Sequence, residues 1–202
     1  MPSSWNTGKL VEPNPKHVSI TEGTLVTKNN QETFNEKSKF ADRATVVEPE
    51  VDDTFPLSDK TFNSFADTIG QLESSGRYDI MGGSSNAYDG KYQMGRMAKA
   101  DAAKRLGITL KHDAEGREAF RQNPELQEDA FEAFTMGNHE TLMRLSNKYK
   151  SSSRAKKAEA LAVAHLLGAG GAIEYLNGTD GKDGFGTAGS KYAEAIKTAL
   201  SS

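Results

Sequence analysis

The sequence predicts a mainly α-helical domain that carries one small β-hairpin and is preceded by an extended N-terminal arm. Five of the six prolines fall within the first 56 residues, where the apolar residues follow neither helical nor sustained strand spacing. From Ser58 onward, apolar residues recur at intervals of three and four positions between capping residues and glycines, which is typical of helices. We therefore divide the chain into an arm, residues 1–57, and a domain, residues 58–202.

The arm carries the whole charge excess of the protein. The chain has 25 Lys and Arg against 28 Asp and Glu, a formal net charge of -3, and residues 1–60 hold 7 basic and 10 acidic residues. Such a segment cannot bury enough apolar surface to offset the entropy lost on ordering. We expect it to be ordered only against a partner, whose pockets would take its aromatic side chains Trp5, Phe34, Phe40 and Phe55. A simple flexible tail is the alternative.

The first helix of the domain has clear start and stop signals. Ser58 or Asp59 can cap its start, and Gly76 can end it in a left-handed conformation. Its apolar residues recur every three or four positions, at Phe62, Phe65, Ile69 and Leu72. This spacing predicts one helix with a single buried face.

A short β-ribbon is predicted next, over residues 77–92, which are rich in Gly, Ser, Asn and Tyr. Asp89-Gly90 lies between Tyr88 and Tyr92 and fits a two-residue hairpin turn. Further helices are predicted at residues 95–106, 113–122, 124–136, 138–149, 154–167, 169–176 and 188–200. Gly107 would stop the first of these, and Asn138 would cap the fourth. The Ala-rich segment 155–172 is predicted to be a buried central helix.

Composition and spacing exclude several kinds of site. The absence of cysteine excludes disulfides, thiol nucleophiles and Cys-ligated zinc, and the slightly negative net charge disfavours nucleic-acid binding driven by bulk charge. The histidines are scattered, at His17, His112, His139 and His165, and no phosphate-binding or dinucleotide-binding motif is present. We therefore expect no metal, no cofactor and no nucleic-acid partner.

Stable membrane insertion is not expected either. The longest nearly apolar stretch, residues 161–173, is shorter than the ~20 residues that a bilayer-spanning helix needs. The first residues lack a basic stretch followed by an apolar core, so we expect no secretory signal peptide.

One carboxylate stands at an unusual place, Glu73 at the end of the first predicted helix. There it faces the negative end of the helix dipole, which penalises its ionised form. A cleft walled by Tyr92 and Met94 would add desolvation and keep the carboxyl protonated. A neutral carboxylic acid in a cleft can protonate the leaving oxygen of a glycosidic bond. An ordinary exposed glutamate at a helix end is the alternative.

Four short motifs follow one another along the domain. They are Glu73-Ser74, the stretch Gly90-Lys91-Tyr92-Gln93-Met94-Gly95, the stretch Ala164-His165-Leu166-Leu167-Gly168, and Tyr192. In order and separation they resemble the motifs of the soluble lytic murein transglycosylases, in the goose-type-lysozyme-like superfamily. The resemblance covers about residues 60–200 and implies a lysozyme-like α-helical fold. Where that family usually has Tyr-Asn in its third motif, this chain has His165-Leu166.

The resemblance implies a peptidoglycan-cleaving enzyme with a single catalytic carboxylate. Glu73 would protonate the oxygen between N-acetylmuramic acid and N-acetylglucosamine, and would then act as base toward the 6-hydroxyl of the same muramic residue. The product would be a 1,6-anhydro sugar, formed without added water. The implied substrate-binding residues are Ser74, Tyr92, Gln93, Met94, His165 and Tyr192. His165 either replaces the family's tyrosine or is a packed core histidine.

Two other functions stay open at this stage. A hydrolytic lysozyme on the same scaffold would need a second carboxylate within ~5–9.5 Å of Glu73, for which Asp79 and Asp89 are the nearby candidates. A catalytically inactive structural protein of a virion tail is the third hypothesis, suggested by the altered third motif and the long arm.

The setting favoured by these expectations is a phage particle, with a cytoplasmically stored endolysin as the alternative. A virion-associated enzyme needs no export signal, because the tail delivers it to the peptidoglycan of the bacterial periplasm during genome ejection. Residues 1–57 would then tether the domain to a tail or baseplate protein by docking an extended segment. The expected partners are therefore peptidoglycan glycan strands and other virion proteins.

Overall fold

The structure, a computed structural model, describes residues 54–201 and is mainly helical. Its helices are α1 (Asp59–Ser74), α2 (Arg96–Leu106), α3 (Ala114–Arg121), α4 (Pro124–Leu145), α5 (Asn147–Lys150), α6 (Arg154–Leu176) and α7 (Gly189–Leu200). Two short antiparallel strands, β1 (Met81–Gly82) and β2 (Tyr88–Asp89), lie between α1 and α2 in the sequence. The prediction of a mainly helical domain with one small hairpin is confirmed. Most of the predicted arm, residues 1–53, lies outside the described residues.

Helix α6 is the central helix of the domain, as predicted. Residues 160–164, all of them Ala, Leu or Val, are buried, and α6 packs against α4, α5 and α7. Gly168 interrupts the helix with φ 71° and ψ 175°, a conformation that favours glycine, and this break separates the predicted segments 154–167 and 169–176. None of the helices in residues 54–201 combines the length with the hydropathy that a bilayer-spanning segment needs.

Helix α4 corrects the prediction of two helices at residues 124–136 and 138–149. It runs without a break from Pro124 to Leu145, with Asn123 accepting a hydrogen bond from the backbone N–H of Leu126 at its start. Gly137 lies inside this helix, and its missing side chain leaves room for Arg105 of α2: a Cβ at Gly137 would lie 2.5 Å from the Arg105 Nε. The glycine therefore serves close packing of two helices, and Asn138 is not a cap.

The hairpin is shifted along the chain relative to the prediction. Asp89 belongs to strand β2 and pairs with Met81 of β1, so Asp89-Gly90 is not the hairpin turn. The strands β1 and β2 are instead linked by residues 83–87, and a separate turn at residues 90–93 follows β2, closed by two backbone hydrogen bonds of 3.0 and 3.3 Å between Asp89 and Met94. Gln93 ends this turn with a positive φ of 44°. A short 3-10 helix of residues 84–86 lies in the connection between the strands. The prediction of a two-residue turn at Asp89-Gly90 therefore placed the hairpin turn too late in the chain.

A buried ion-pair cluster anchors the hairpin to two helices. Asp89 is 0% exposed and accepts hydrogen bonds from Lys99 of α2 and from Arg117 and Arg121 of α3. The Nη1 atom of Arg121 lies 2.7 Å from Oδ1 of Asp89, and the Nε atom of Arg117 lies 2.9 Å from Oδ2. Burial alone would raise the pKa of Asp89, but these three cations outweigh it and hold the pKa below its ordinary value.

The packed domain begins before the predicted boundary at Ser58. Leu57 is buried in the core, and the Phe55 ring packs against the rings of Phe62 and His139 at centroid distances of 6.1 and 5.5 Å. Arg154 also donates a hydrogen bond of 2.8 Å to the Thr54 hydroxyl. The last residues assigned to the arm are therefore part of the domain, because their apolar side chains find a core to enter.

Candidate active site

Glu73 occupies the last turn of α1, where the helix ends in a tight backbone loop. Ser75 takes the left-handed conformation with φ 56°, and its N–H bonds to the carbonyl of Gln71. The N–H of Gly76 bonds back to the carbonyl of Gly70 at 3.0 Å, which completes a C-terminal cap. The side chain of Glu73 is 16% exposed, so its carboxylate is neither sealed in the core nor free in solvent.

Tyr192, near the start of α7, holds one oxygen of this carboxylate. Its hydroxyl donates a hydrogen bond of 2.7 Å to Oε1 of Glu73 across 119 residues of sequence. The tyrosine is 4% exposed. Burial, followed by the negative charge of Glu73, raises the pKa of Tyr192 far above its ordinary value, so the hydroxyl keeps its proton and remains a donor.

His165 of α6 approaches the same oxygen. Its Nε2 lies 3.2 Å from Oε1 of Glu73, and its side chain is 8% exposed. The rings of Phe131 and Phe134 on α4 pack edge-on against the imidazole at 5.5 and 6.2 Å. Three helices, α1, α6 and α7, therefore converge on Oε1.

The second carboxylate oxygen of Glu73 is in a different situation. Within residues 54–201, neither a hydrogen bond nor an ion pair engages Oε2. A carboxyl group held by one oxygen and open at the other can exchange a proton with a bound molecule at the open oxygen.

Gln93 stabilises the turn of the hairpin rather than the carboxylate. Its Nε2 donates a hydrogen bond of 2.8 Å to the carbonyl of Gly90, and its Oε1 lies over Gly82, where a Cβ would come within 1.9 Å. Among the described residues, no hydrogen bond joins Gln93 to Glu73. The side chain is half-buried, so part of it can still contact a ligand.

The burial of Tyr92 and Met94 contradicts the expectation that these two side chains line a cleft and bind substrate. Each is 1% exposed, which leaves no surface for a sugar. The Tyr92 ring stacks on Phe131 at a centroid distance of 3.8 Å, and its hydroxyl donates to Glu128, which also pairs with the Lys91 ammonium at 3.0 Å. Both side chains point into the core because the turn at residues 90–93 packs against α4.

Ser74 is likewise a structural residue. It is 5% exposed, and its hydroxyl donates to the carbonyl of Gly70 one turn earlier at 3.1 Å. This bond closes the last turn of α1, so the expected contact between Ser74 and substrate is not supported.

The two predicted candidates for a second carboxylate differ in the structure. The prediction that Asp89 could be the second carboxylate is wrong, because Asp89 is fully buried and its oxygens are paired with three cations. Asp79 is exposed, and no described hydrogen bond or ion pair links it to Glu73.

Asp183 is a neighbour of the site that the sequence reasoning missed. It lies in the loop before α7, where it accepts backbone hydrogen bonds from Phe185 at 2.9 Å and Thr187 at 2.7 Å. Its negative charge contributes to the raised pKa of Tyr192, after burial and Glu73. Lys182 beside Asp183 forms an isolated antiparallel bridge with Ala188, and a turn follows at residues 184–185. Only the position just before α7 could have drawn attention to this carboxylate.

A cavity of about 340 Å³ lies elsewhere, between α2 and α4. Its lining residues are Arg105, Leu106, Asp129, Glu132, Ala133 and Met136, and none of the predicted site residues is among them.

If the chain has the peptidoglycan-cleaving activity that the motif resemblance implies, replacing Tyr192 with Phe is expected to lower the turnover number about ten- to hundredfold while the ring keeps its packing. A hydrogen bond to a carboxylate is lost, and each tenfold loss of rate corresponds to roughly 1.4 kcal/mol. The measurement is the initial rate of peptidoglycan solubilisation. Tyr149→Phe is the matched control, since that buried hydroxyl pairs with His139 instead. Equal rates for Tyr192→Phe and the wild type would show that the Glu73 contact has no catalytic role.

Searches of family models, curated proteins and solved structures found no match to this chain.

Proposed function

We propose that the protein is a peptidoglycan lytic transglycosylase in which Glu73 acts first as acid and then as base. The observation that carries the proposal is the half-open carboxyl group of Glu73. One of its oxygens is held by Tyr192 at 2.7 Å and approached by His165 at 3.2 Å, while the other has no partner among the described residues. The motif resemblance supplies the substrate class.

The proposed reaction needs only this one carboxyl group. The proton on Glu73 moves to the glycosidic oxygen as the bond from that oxygen to C1 of N-acetylmuramic acid breaks, and C1 becomes oxocarbenium-like. The 6-hydroxyl oxygen of the same residue then bonds to C1, and its proton returns to Glu73. The ring closure is efficient because the nucleophile belongs to the bound sugar and has already lost its translational freedom. No water is consumed, and the enzyme ends in its starting protonation state.

The carboxylates around the site favour this reaction over hydrolysis. A hydrolase needs a second carboxylate that activates water or attacks the sugar. Asp89 is withdrawn into the ion-pair cluster. Asp79 and Asp183 stay candidates for the muramidase alternative, but Oδ1 of Asp183 already accepts two backbone N–H groups.

The products of peptidoglycan digestion test the proposal. We expect a mass spectrum of the released muropeptides to show 1,6-anhydro-muramic ends, each lighter by one water than the reducing ends of a muramidase digest. Asp183→Asn is expected to leave these products unchanged. Reducing ends that disappear in Asp183→Asn would instead establish the hydrolytic alternative.

Association with a phage tail is part of the same proposal. Virion proteins would bind residues 1–57, of which only residues 54–57 lie in the described part of the chain. Delivery by the virion would bring the domain to periplasmic peptidoglycan during genome ejection. This part rests on the charge and composition of the arm.

A further inference from the structure

We infer that His165 is a positioning residue rather than a sugar ligand. As the neutral Nε2–H tautomer it directs its N–H, together with the Tyr192 hydroxyl, toward Oε1 of Glu73. The acid proton is then carried by the other oxygen, Oε2. The catalytic consequence of this inference rests on the proposed function. The tautomer itself does not, because it follows from the surroundings of the imidazole.

The two ring nitrogens of His165 have different surroundings. Nε2 lies 3.2 Å from a carboxylate oxygen. Nδ1 is buried and has no hydrogen-bond partner among the described residues. Side-chain exposure of 8% and the edge-on rings of Phe131 and Phe134 leave this nitrogen in apolar surroundings.

These surroundings select one protonation state. A proton on Nδ1 would be a buried donor without an acceptor, which folded proteins rarely tolerate, whereas an unpaired lone pair is tolerated more often. An imidazolium would carry that unpaired N–H and also a charge beside two phenyl rings. The Nε2–H tautomer avoids both and directs its N–H toward Glu73.

The groups that face His165 do not oppose this assignment. The described contacts of its side chain are Glu73 from α1 and the two phenylalanine rings from α4. Tyr192 from α7 reaches the same carboxylate oxygen, and its raised pKa keeps its hydroxyl a donor. Oε1 therefore has one established donor and a second within reach.

An oxygen that accepts a hydrogen bond from Tyr192 and has a second donor 3.2 Å away is a poor place for a further proton. Protonation of Glu73 therefore falls on Oε2, the oxygen without a described partner. This oxygen is the one that can meet the glycosidic oxygen. Once the proton has left, both donors stabilise the carboxylate that must act as base, since hydrogen bonds to a charged oxygen are stronger than those to a neutral one.

The tautomer can be measured directly by ¹⁵N NMR of the full chain with labelled histidines. The His165 signals are assigned by their loss in His165→Gln. At neutral pH we expect a protonated Nε2 and an unprotonated Nδ1, with the Nε2 signal shifting in Glu73→Gln. A proton on Nδ1, or a fully protonated ring, would overturn the inference. This readout uses no peptidoglycan, so it stands even if the proposed function fails.

Two substitutions at His165 separate positioning from sugar binding. His165→Leu removes the donor and is expected to lower kcat about ten- to hundredfold with little change in KM, as loss of one charge-assisted hydrogen bond implies. His165→Gln places an amide N–H near the position of Nε2–H and is expected to recover most of that loss. A raised KM at unchanged kcat in His165→Leu would make His165 a sugar ligand. Equal losses in both variants, with melting temperatures like the wild type, would also overturn the positioning role.

Discussion

Glu73→Gln is expected to lower peptidoglycan cleavage by about 10²- to 10⁴-fold, the range that general acid–base catalysis contributes. The amide has the size of the carboxyl group, and its oxygen can still accept the Tyr192 hydroxyl, but it carries no transferable acid proton. The fold should persist, because the amide keeps the size of a side chain that is partly exposed at the last turn of α1. Initial rates on purified sacculi and a thermal melt of the same preparation provide the measurement.

Glu132→Gln is the matched control for this prediction. Glu132 is an exposed glutamate on α4, outside the site, so its variant should cleave like the wild type. A Glu73→Gln variant that melts normally and retains more than about a tenth of the wild-type rate would contradict general acid catalysis by Glu73.

Asp89→Asn is expected to destabilise the domain by about 3–5 kcal/mol, the cost of removing one partner from a buried ion pair. The substitution leaves Lys99, Arg117 and Arg121 around a neutral side chain, and two of these cations are themselves buried. The hairpin would lose its attachment to α2 and α3. Urea denaturation of variant and wild type measures the change.

Asp101→Asn is the matched control, because Asp101 is exposed and pairs with Arg105 at only 3.8 Å within one helix. Such surface pairs contribute about 0.3–0.5 kcal/mol. If Asp89→Asn costs no more than Asp101→Asn, the buried cluster is not a main source of stability.

The same cluster makes stability depend on acidity in a definite direction. The pKa of Asp89 is lowered in the folded chain below its ordinary value of 3.8. The unfolded chain therefore takes up the proton first as the pH falls, and the stabilisation present above the ordinary pKa is lost as the pH falls through the lowered one. Asp89→Asn should remove this part of the acid dependence.

Helix limits were predictable because their signals are local. Gly107 ends α2 in the left-handed conformation with φ 67°, and Gly168 marks the break in α6. The continuity of α4 was not predictable from local signals, since glycine often ends a helix, whereas Gly137 lies inside α4 at a place where Arg105 of another helix packs against it. The prediction that Asp89-Gly90 forms the hairpin turn was wrong for a similar reason. Asp89 is typical of turns, and the sequence does not reveal its three cationic partners.

The candidate site was likewise predictable only in part. The motif order indicated Glu73 and Tyr192, and the structure places these side chains 2.7 Å apart. Tyr92, Met94 and Ser74 are buried, which does not favour their predicted role in substrate binding, because a motif does not reveal which of its side chains turn inward. Tyr92 is drawn into the core by stacking on Phe131, a contact between residues far apart in sequence.

Digestion of sacculi in ¹⁸O-labelled water tests most directly whether one carboxyl group does all the proton transfer. Intramolecular ring closure predicts released muramic ends that carry no ¹⁸O, in amounts that fall together with the rate in Glu73→Gln. Muramic ends that contain one ¹⁸O from the start of the reaction would show that water attacks the sugar, and would contradict the single-carboxylate account.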